Sequence, residues 1–271
     1  MLGFKQFTMD NSKTRQEQEA IFHDRVRDES SGDYTRLTSN KKFYAITRKS
    51  NAFTERWLSK MCQGKKVLDY CCGEGILTRK LAQKGAFAYG IDISPFSIDK
   101  AKDRSAKENL SDKTFFSVMD AEKMNFENDF FDVIICHGVL HHLDVKKAFP
   151  QLSRVLKPTG QIICVEPLAY NPIFQLYRKL TPHLRTEWEA HHILTKADIF
   201  ESLKSFQKIE IRFFHLFSLA AVPFRNTKAF NFILSFLELL DDIFLNLPLV
   251  KWWAWQVTFI LSKPSKTKNN A

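Results

Sequence analysis

Val67-Leu68-Asp69-Tyr70-Cys71-Cys72-Gly73-Glu74-Gly75 leads an apolar run into a short turn that carries an acid and two glycines. Glycine is needed where backbone must approach a ligand closely or adopt a conformation that a side chain forbids. A helix opening at such a turn offers unpaired N–H groups and the positive end of its dipole to a bound group. Loops hold glycine for many reasons, so the turn alone says little. A second acid, Asp92, closes the next apolar run, Tyr89-Gly90-Ile91-Asp92-Ile93-Ser94-Pro95, 23 residues after Asp69. At the end of a second strand, an acidic side chain can accept hydrogen bonds from both hydroxyls of a ribose. The competing use of Asp92 is to cap the helix expected from Pro95.

These residues need elements to hold them in register. Short apolar runs at 66–70, 86–93, 114–119, 131–136 and 161–166 read as strands. Amphipathic stretches at 75–84, 95–108 and 145–156 read as the helices between them, the last stopping at Lys157-Pro158-Thr159-Gly160. That alternation predicts a parallel sheet with helices on both faces. Val133-Ile134-Ile135 and Ile162-Ile163-Cys164-Val165 are continuously apolar, as strands covered on both sides are. Residues 1–60 are polar, with helical runs at 16–27 and 53–61, and read as an N-terminal helical cap whose first dozen residues are loose. After Pro167 the pattern breaks into a stretch rich in His, Arg, Pro and Thr over 168–206, with a helix at 196–206. A strand at 208–216, an apolar helix at 229–245 and a last strand at 253–261 follow. The division expected is a cap (1–60), a main domain (61–262) with an insert at 168–206 after strand 5, and a basic tail (263–271).

The first motif resembles that of the class I S-adenosylmethionine-dependent methyltransferases, in the type 11 group, where it reads Asp-x-Gly-x-Gly-x-Gly. Cys71 stands in place of the first glycine, which leaves less room at the turn. The resemblance runs on through Met119-Asp120-Ala121-Glu122, then Phe131-Asp132-Val133-Ile134-Ile135-Cys136-His137-Gly138-Val139-Leu140-His141-His142-Leu143, then Leu152 to Gln161, and covers about 65–166. A dehydrogenase shares the first turn but is not expected to carry the Leu140-His141-His142 segment or the Lys-Pro-x-Gly turn. The resemblance implies a Rossmann-like α/β fold, a seven-stranded mostly parallel sheet whose last strand runs antiparallel, and S-adenosyl-L-methionine as cofactor. It further implies that Asp69, Cys71, Gly73 and Gly75 hold the methionine portion, that Asp92 holds the ribose with Ile93 beside it, and that Asp120 and Ala121 meet the adenine. His137 and the loop after strand 4 would lie under the sulfonium.

Methyl transfer is an in-line displacement at an activated sulfonium, so alignment of the nucleophile contributes most, about 7–11 kcal/mol in favourable cases. A hydroxyl acceptor also needs a base. His142 is the first choice for it and His141 the second, against the alternative that both only shape the pocket. Tyr44 of the cap and Arg178, His183 and Arg185 of the insert are expected on the acceptor. The insert is similar to one that covers the acceptor in a subgroup of bacterial methyltransferases, and an arginine there suits a carboxylate, phosphate or sugar hydroxyl. Surface ion pairs with Glu187 and Glu189 are the alternative. His191-His192 lack a third ligand at recognisable spacing, so no metal is expected.

The formal charge of +10 raises nucleic acid or an anionic membrane as partner. The basic residues are dispersed among acids, however, and the basic tail Lys263, Lys266, Lys268 carries no aromatic residue, which disfavours nucleic acid. Cys62, Cys71, Cys72, Cys136 and Cys164 show no metal-ligand spacing, and no apolar leader opens the sequence, so a reducing cytoplasmic setting is expected. Charges interrupt every late apolar run, which argues against a membrane span. The 25 phenylalanines, many of them late, suit either a dense core or a greasy surface. The stripe Phe230, Ile233, Leu234, Leu237, Leu240 reads as core packing or a homodimer seam, with peripheral membrane contact as the other choice. The function expected is methylation, at oxygen, of a lipophilic or glycosylated small molecule. An RNA or protein methyltransferase and a catalytically inactive cofactor-binding protein are the alternatives.

Overall fold

The computed structural model describes residues 14–27, 39–186, 188–189 and 192–266. Seven strands form one sheet: β1 (Lys66–Tyr70), β2 (Phe87–Asp92), β3 (Thr114–Val118), β4 (Phe131–His137), β5 (Leu156–Pro167), β6 (Phe206–Phe214) and β7 (Gln256–Pro264). Their order is β3-β2-β1-β4-β5-β7-β6, and the β1–β2, β1–β4, β2–β3 and β4–β5 pairings are all parallel. This is the mostly parallel, Rossmann-like α/β sheet the alternating pattern predicts. The order reverses at β1, which sets β1 between β2 and β4 and opens a ligand-binding crevice beyond its carboxyl end.

Among the described residues the α-helices are α1 (Arg15–Arg27) and α2 (Arg48–Met61), both before β1, then α3 (Ile76–Gln83), α4 (Pro95–Lys107), α5 (Val145–Val155), α6 (Pro172–Leu180), α7 (Lys196–Glu201) and α8 (Phe230–Phe244). None is long and apolar enough to cross a membrane. Helix α4 begins as its sequence requires: Ser94 Oγ accepts from Ser97 N at 3.0 Å and Pro95 occupies the first turn. Asp144 caps α5 by accepting from Lys146 N at 3.1 Å.

The chain divides into two compact units. The first comprises Thr54–Glu166, Lys196–Ile211 and Phe259–Ala271, and the second Met1–Phe53, Pro167–Thr195 and Arg212–Thr258. In the first, Val67, Leu68, Val133, Ile134, Ile135, Ile162 and Ile163 are buried on adjacent strands. Cys62, Cys136 and Cys164 are buried thiols, acting as small apolar side chains. In the second, Phe43, Ile46, Phe174, Leu219, Leu234 and Trp255 share a core.

Several elements differ from the sequence reading, among them α2, which starts at Arg48 rather than 53, and α7, which ends at Glu201. β5 begins at Leu156 rather than 161, because Phe131 pairs with Leu156 and Val133 with Gln161, so Lys157–Gly160 bulges out within the strand instead of preceding it. Gly160 is required there: a Cβ would lie 2.9 Å from the Asp132 carbonyl oxygen. Lys157 Nζ donates to Asp132 Oδ1 at 2.8 Å and closes the bulge. The stretch at 172–180 is helical, started by Asn171 Oδ1 accepting from Phe174 N at 3.0 Å and by Pro172. Trp253, expected to open the last strand, instead closes a 3-10 helix, Val250–Trp253, and β7 begins at Gln256.

Candidate functional site

Register fixes where the candidate residues meet. Tyr70 pairs with Ile91 and with Cys136, Asp92 with Val118, and His137 with Val165. The carboxyl ends of β1 to β5 therefore reach one edge of the sheet together. That edge delivers Asp69, Cys71, Gly73, Gly75, Asp92, Ile93, Asp120, Ala121, His137, His141 and His142, all in the first unit.

The turn after β1 is built from left-handed residues. Cys71, Gly73 and Gly75 have φ of 61°, 53° and 67°. At Gly75 a Cβ would also meet the Phe116 ring at 2.7 Å, so glycine is required twice over. Asp92 locks this turn to the next one: Oδ2 accepts from Gly73 N at 2.7 Å and Oδ1 from Ser94 N at 3.0 Å. Ser94 itself caps α4 through its hydroxyl, so the carboxylate of Asp92 is not the helix's side-chain cap at Ser97.

Asp69 is buried, and Thr78 Oγ1 donates to its Oδ2 at 2.6 Å. Burial pushes its pKa up to about 6, with Asp92 adding to the rise and Thr78 opposing it. A carboxylate held this way gains from a cation placed beside it. After β3, Asp120 Oδ1 accepts from Glu122 N at 2.8 Å in a tight turn. The buried Tyr70 hydroxyl donates to the Ala121 carbonyl at 2.7 Å, so β1 itself fixes the loop carrying Asp120 and Ala121. Ile93 is half-buried beside Asp92.

The loop after β4 is organised by a residue to which the sequence reading gave no role. Glu166, near the end of β5, is fully buried. Its Oε1 accepts from Val139 N at 2.8 Å and Leu140 N at 2.9 Å, and its Oε2 lies 2.8 Å from Nδ1 of His141. His142 stands beside His141, ring centroids 4.2 Å apart. His137 reaches solvent yet has protein packed densely around it; that dehydration lowers its pKa, and Glu166 opposes the shift. The only signal for Glu166 in the sequence was an acid closing an otherwise apolar strand.

The acceptor-side candidates lie in the second unit. Tyr44 is exposed in a 3-10 helix, Ser39–Ile46. His183 lies in the 3-10 helix Pro182–Leu184, and its side chain is outside the described residues, as are Glu187 and His191. Arg178 and Arg185 are buried and both face Glu189, at 3.8 Å and 3.6 Å. Arg185 also donates to the Thr181 carbonyl at 2.6 Å, while its Nε makes no hydrogen bond among the described residues. Burial, then the neighbouring Arg185, pulls Arg178 down to about 10. Among the described residues, two guanidinium groups thus share one carboxylate.

Residues 68–164 match the family model described as a methyltransferase domain. The ubiquinone biosynthesis O-methyltransferase of Coxiella burnetii is 33% identical over 101 residues, 37% of this chain and 42% of that protein. The chloroplastic tocopherol O-methyltransferase of Arabidopsis thaliana is 40% identical over 103 residues, 37% of this chain and 30% of that protein. The match thus spans less than half the length of these relatives. Among solved structures, geranyl diphosphate C-methyltransferase from Streptomyces coelicolor A3(2), in complex with Mg2+, geranyl diphosphate and S-adenosyl-L-homocysteine, superposes with a TM-score of 0.61 at 13% identity. It covers 93% of this chain and 99% of that one, a likeness of fold.

Proposed function

We propose that the chain, whose residues 68–164 match a methyltransferase domain, is a class I S-adenosylmethionine-dependent enzyme that transfers a methyl group from S-adenosyl-L-methionine to a hydroxyl of a small lipophilic acceptor. The observation that carries this reading is the His141–Glu166 contact at the carboxyl edge of the sheet. With Nδ1–H donated to the buried carboxylate, the other ring nitrogen, Nε2, presents a lone pair. A base so oriented can take the proton from an acceptor hydroxyl as the oxygen gains its methyl. We therefore assign the base to His141 rather than to His142, the first choice from the sequence, on the strength of the carboxylate at its Nδ1.

The residues present fit the cofactor. Asp92 stands buried at the carboxyl end of β2, bonded to the Gly73 turn, where the ribose is expected, Gly75 leaves the turn without a Cβ, and Asp69 gains from the cationic methionine portion. We assign Cys71 and Gly73 to that portion too, Ile93, Asp120 and Ala121 to the adenine side, and His137 to the floor of the site. When bound, the cofactor supplies an electrophilic methyl group. The chain's own part is to hold the acceptor oxygen in line and to receive its proton.

On the acceptor side we assign Tyr44, Arg178, His183 and Arg185, with 168–206 as the segment that covers the acceptor. The guanidinium groups of Arg178 and Arg185 suit an acceptor bearing an anionic or strongly polar group. The names of the relatives, ubiquinone biosynthesis and tocopherol O-methyltransferase, support a hydroxylated, lipophilic acceptor. Thiols rather than disulfides at the five cysteines suit a reducing, cytoplasmic setting.

Calorimetric titration with S-adenosyl-L-methionine, followed by methyl-transfer assays on prenylated catechols, tests the proposal. We expect saturable binding that Asp92→Ala weakens at least about tenfold, or 1.4 kcal/mol. Turnover should need His141. Absence of binding by folded wild type would sink the reading, and binding with no transfer to any hydroxylated acceptor would leave a cofactor-binding protein.

A further inference from the structure

Helix α8 is apolar on two faces: Phe230, Ile233, Leu234 and Leu237 pack in the core, and a second apolar face points outward. Its acids Glu238 and Asp241 turn inward, 3% and 4% exposed, while Phe232 (79%), Phe236 (57%), Leu239 (57%) and Ile243 (57%) face out. Those four sit at i, i+4, i+7 and i+11, which makes one continuous stripe along the helix. The buried acids are fully engaged. Arg48 Nε donates to both oxygens of Glu238 at 2.9 Å, and Nη2 donates to Oε2 at 2.6 Å. Asp241 accepts from Phe217 N at 2.6 Å and Leu216 N at 3.2 Å. Past the helix, Leu247, Leu249 and Trp253 are exposed as well. An apolar surface of this extent marks a contact with something apolar.

The charges at its ends say what covers it. Arg225 and Lys228 are exposed immediately before the helix, and neither is ion-paired among the described residues. Half-buried Lys251 follows the helix. Asp242, exposed on the polar edge, is neutralised by Lys49 at 2.5 Å. Phenyl and aliphatic groups between cations match a bilayer interface with anionic headgroups, where rings enter the acyl boundary and cations meet phosphates. A second copy of the chain fits less well. A two-fold pairing of α8 in either orientation would set one basic end against another, in a chain that already carries +10.

We infer that the outward stripe of α8 docks on an anionic lipid surface. The inference is independent of the catalytic proposal, and its test uses no turnover. The full chain is sedimented with vesicles of phosphatidylcholine alone, and with vesicles also containing phosphatidylglycerol. Wild type should bind the anionic vesicles, less so as salt rises. Phe232→Ser/Phe236→Ser should bind at least about tenfold more weakly. It alters only exposed positions, so an unchanged melting temperature shows that the fold is intact. Arg225→Gln/Lys228→Gln should lose the preference for phosphatidylglycerol. Failure of wild type to sediment with either vesicle would overturn the inference, and equal binding to both would overturn the anionic headgroup. A wild-type dimer in sedimentation velocity that the double serine variant abolishes would show that a second copy covers the stripe instead.

Discussion

Oε2 of Glu166 lies 2.8 Å from Nδ1 of His141, while Oε1 of the same carboxylate takes the N–H groups of Val139 and Leu140. One buried acid thus fixes both the path of the loop after β4 and the tautomer of the ring it carries. Glu166→Gln keeps the shape but no longer enforces Nδ1 as the protonated nitrogen. We expect kcat to fall by about 10²-fold with cofactor affinity nearly unchanged, and His141→Ala to cost about 10²–10⁴-fold. The double variant should be no worse than His141→Ala, because the two act as a unit. Full activity in both single variants would remove His141 from the chemistry.

A pH dependence follows from Asp69. Its pKa of about 6 means that the carboxyl is largely protonated below that pH. A ligand with a cationic methionine portion prefers the ionised form, so binding should strengthen as pH rises through about 6 and level off above it. The gain is at most about tenfold per pH unit. Titrations at several pH values check this. Asp69→Asn should bind more weakly and lose the slope, whereas a flat wild-type profile across that range would separate Asp69 from the cofactor's charge.

The sheet was legible because its signals are local. Continuous apolar runs such as Val133-Ile134-Ile135 became buried strands, and Asp92 ended β2 as its spacing from Asp69 implied. Glu166 was not legible, since its role depends on the pairing of His137 with Val165, a contact between strands far apart in sequence. Helix α6 could have been read from Asn171-Pro172, a cap followed by a proline suited to the first turn. Helix α8 carries apolar residues on two faces, so periodicity alone could not say which turns inward. Phe230, Ile233, Leu234 and Leu237 do pack in the core as the stripe reading held. The outer face is decided by Arg48 and by the backbone at Leu216 and Phe217, which draw Glu238 and Asp241 inside.

His215 makes a stability prediction. It is buried, with Nε2 2.9 Å from Ser50 Oγ and Nδ1 3.2 Å from Ser218 Oγ. Burial, and then the charge of Lys49, lower its pKa to about 3. In the unfolded chain it takes a proton near pH 6.5, while in the fold it stays neutral. Its stabilisation is therefore complete above about 6.5 and lost as pH falls toward about 3, by up to about 1.4 kcal/mol per unit. His215 has φ of 66°, a conformation asparagine tolerates. Urea unfolding of His215→Asn should show a shallower loss of stability on acidification than wild type. Parallel curves would mean that His215 is protonated in the fold.

The first turn allows a paired test of its backbone demands. Cys71 adopts φ of 61° where the family's first glycine would stand, so its side chain is tolerated but strained. Cys71→Gly relieves that strain and adds freedom to the unfolded chain. The two effects oppose, so the net change should stay within about 1 kcal/mol. Cys71→Val places a β-branched side chain in the same conformation and should cost about 1–3 kcal/mol. Gly75→Ala should be worse still, since φ of 67° is joined by a Cβ only 2.7 Å from Phe116 and 3.0 Å from Ala101. Thermal melts with and without S-adenosyl-L-methionine separate fold from site: Cys71→Gly should keep the cofactor-induced rise in Tm, and Gly75→Ala should lose most of it. If Gly75→Ala melted and responded like wild type, the turn would not be the close-packed cradle that these distances describe.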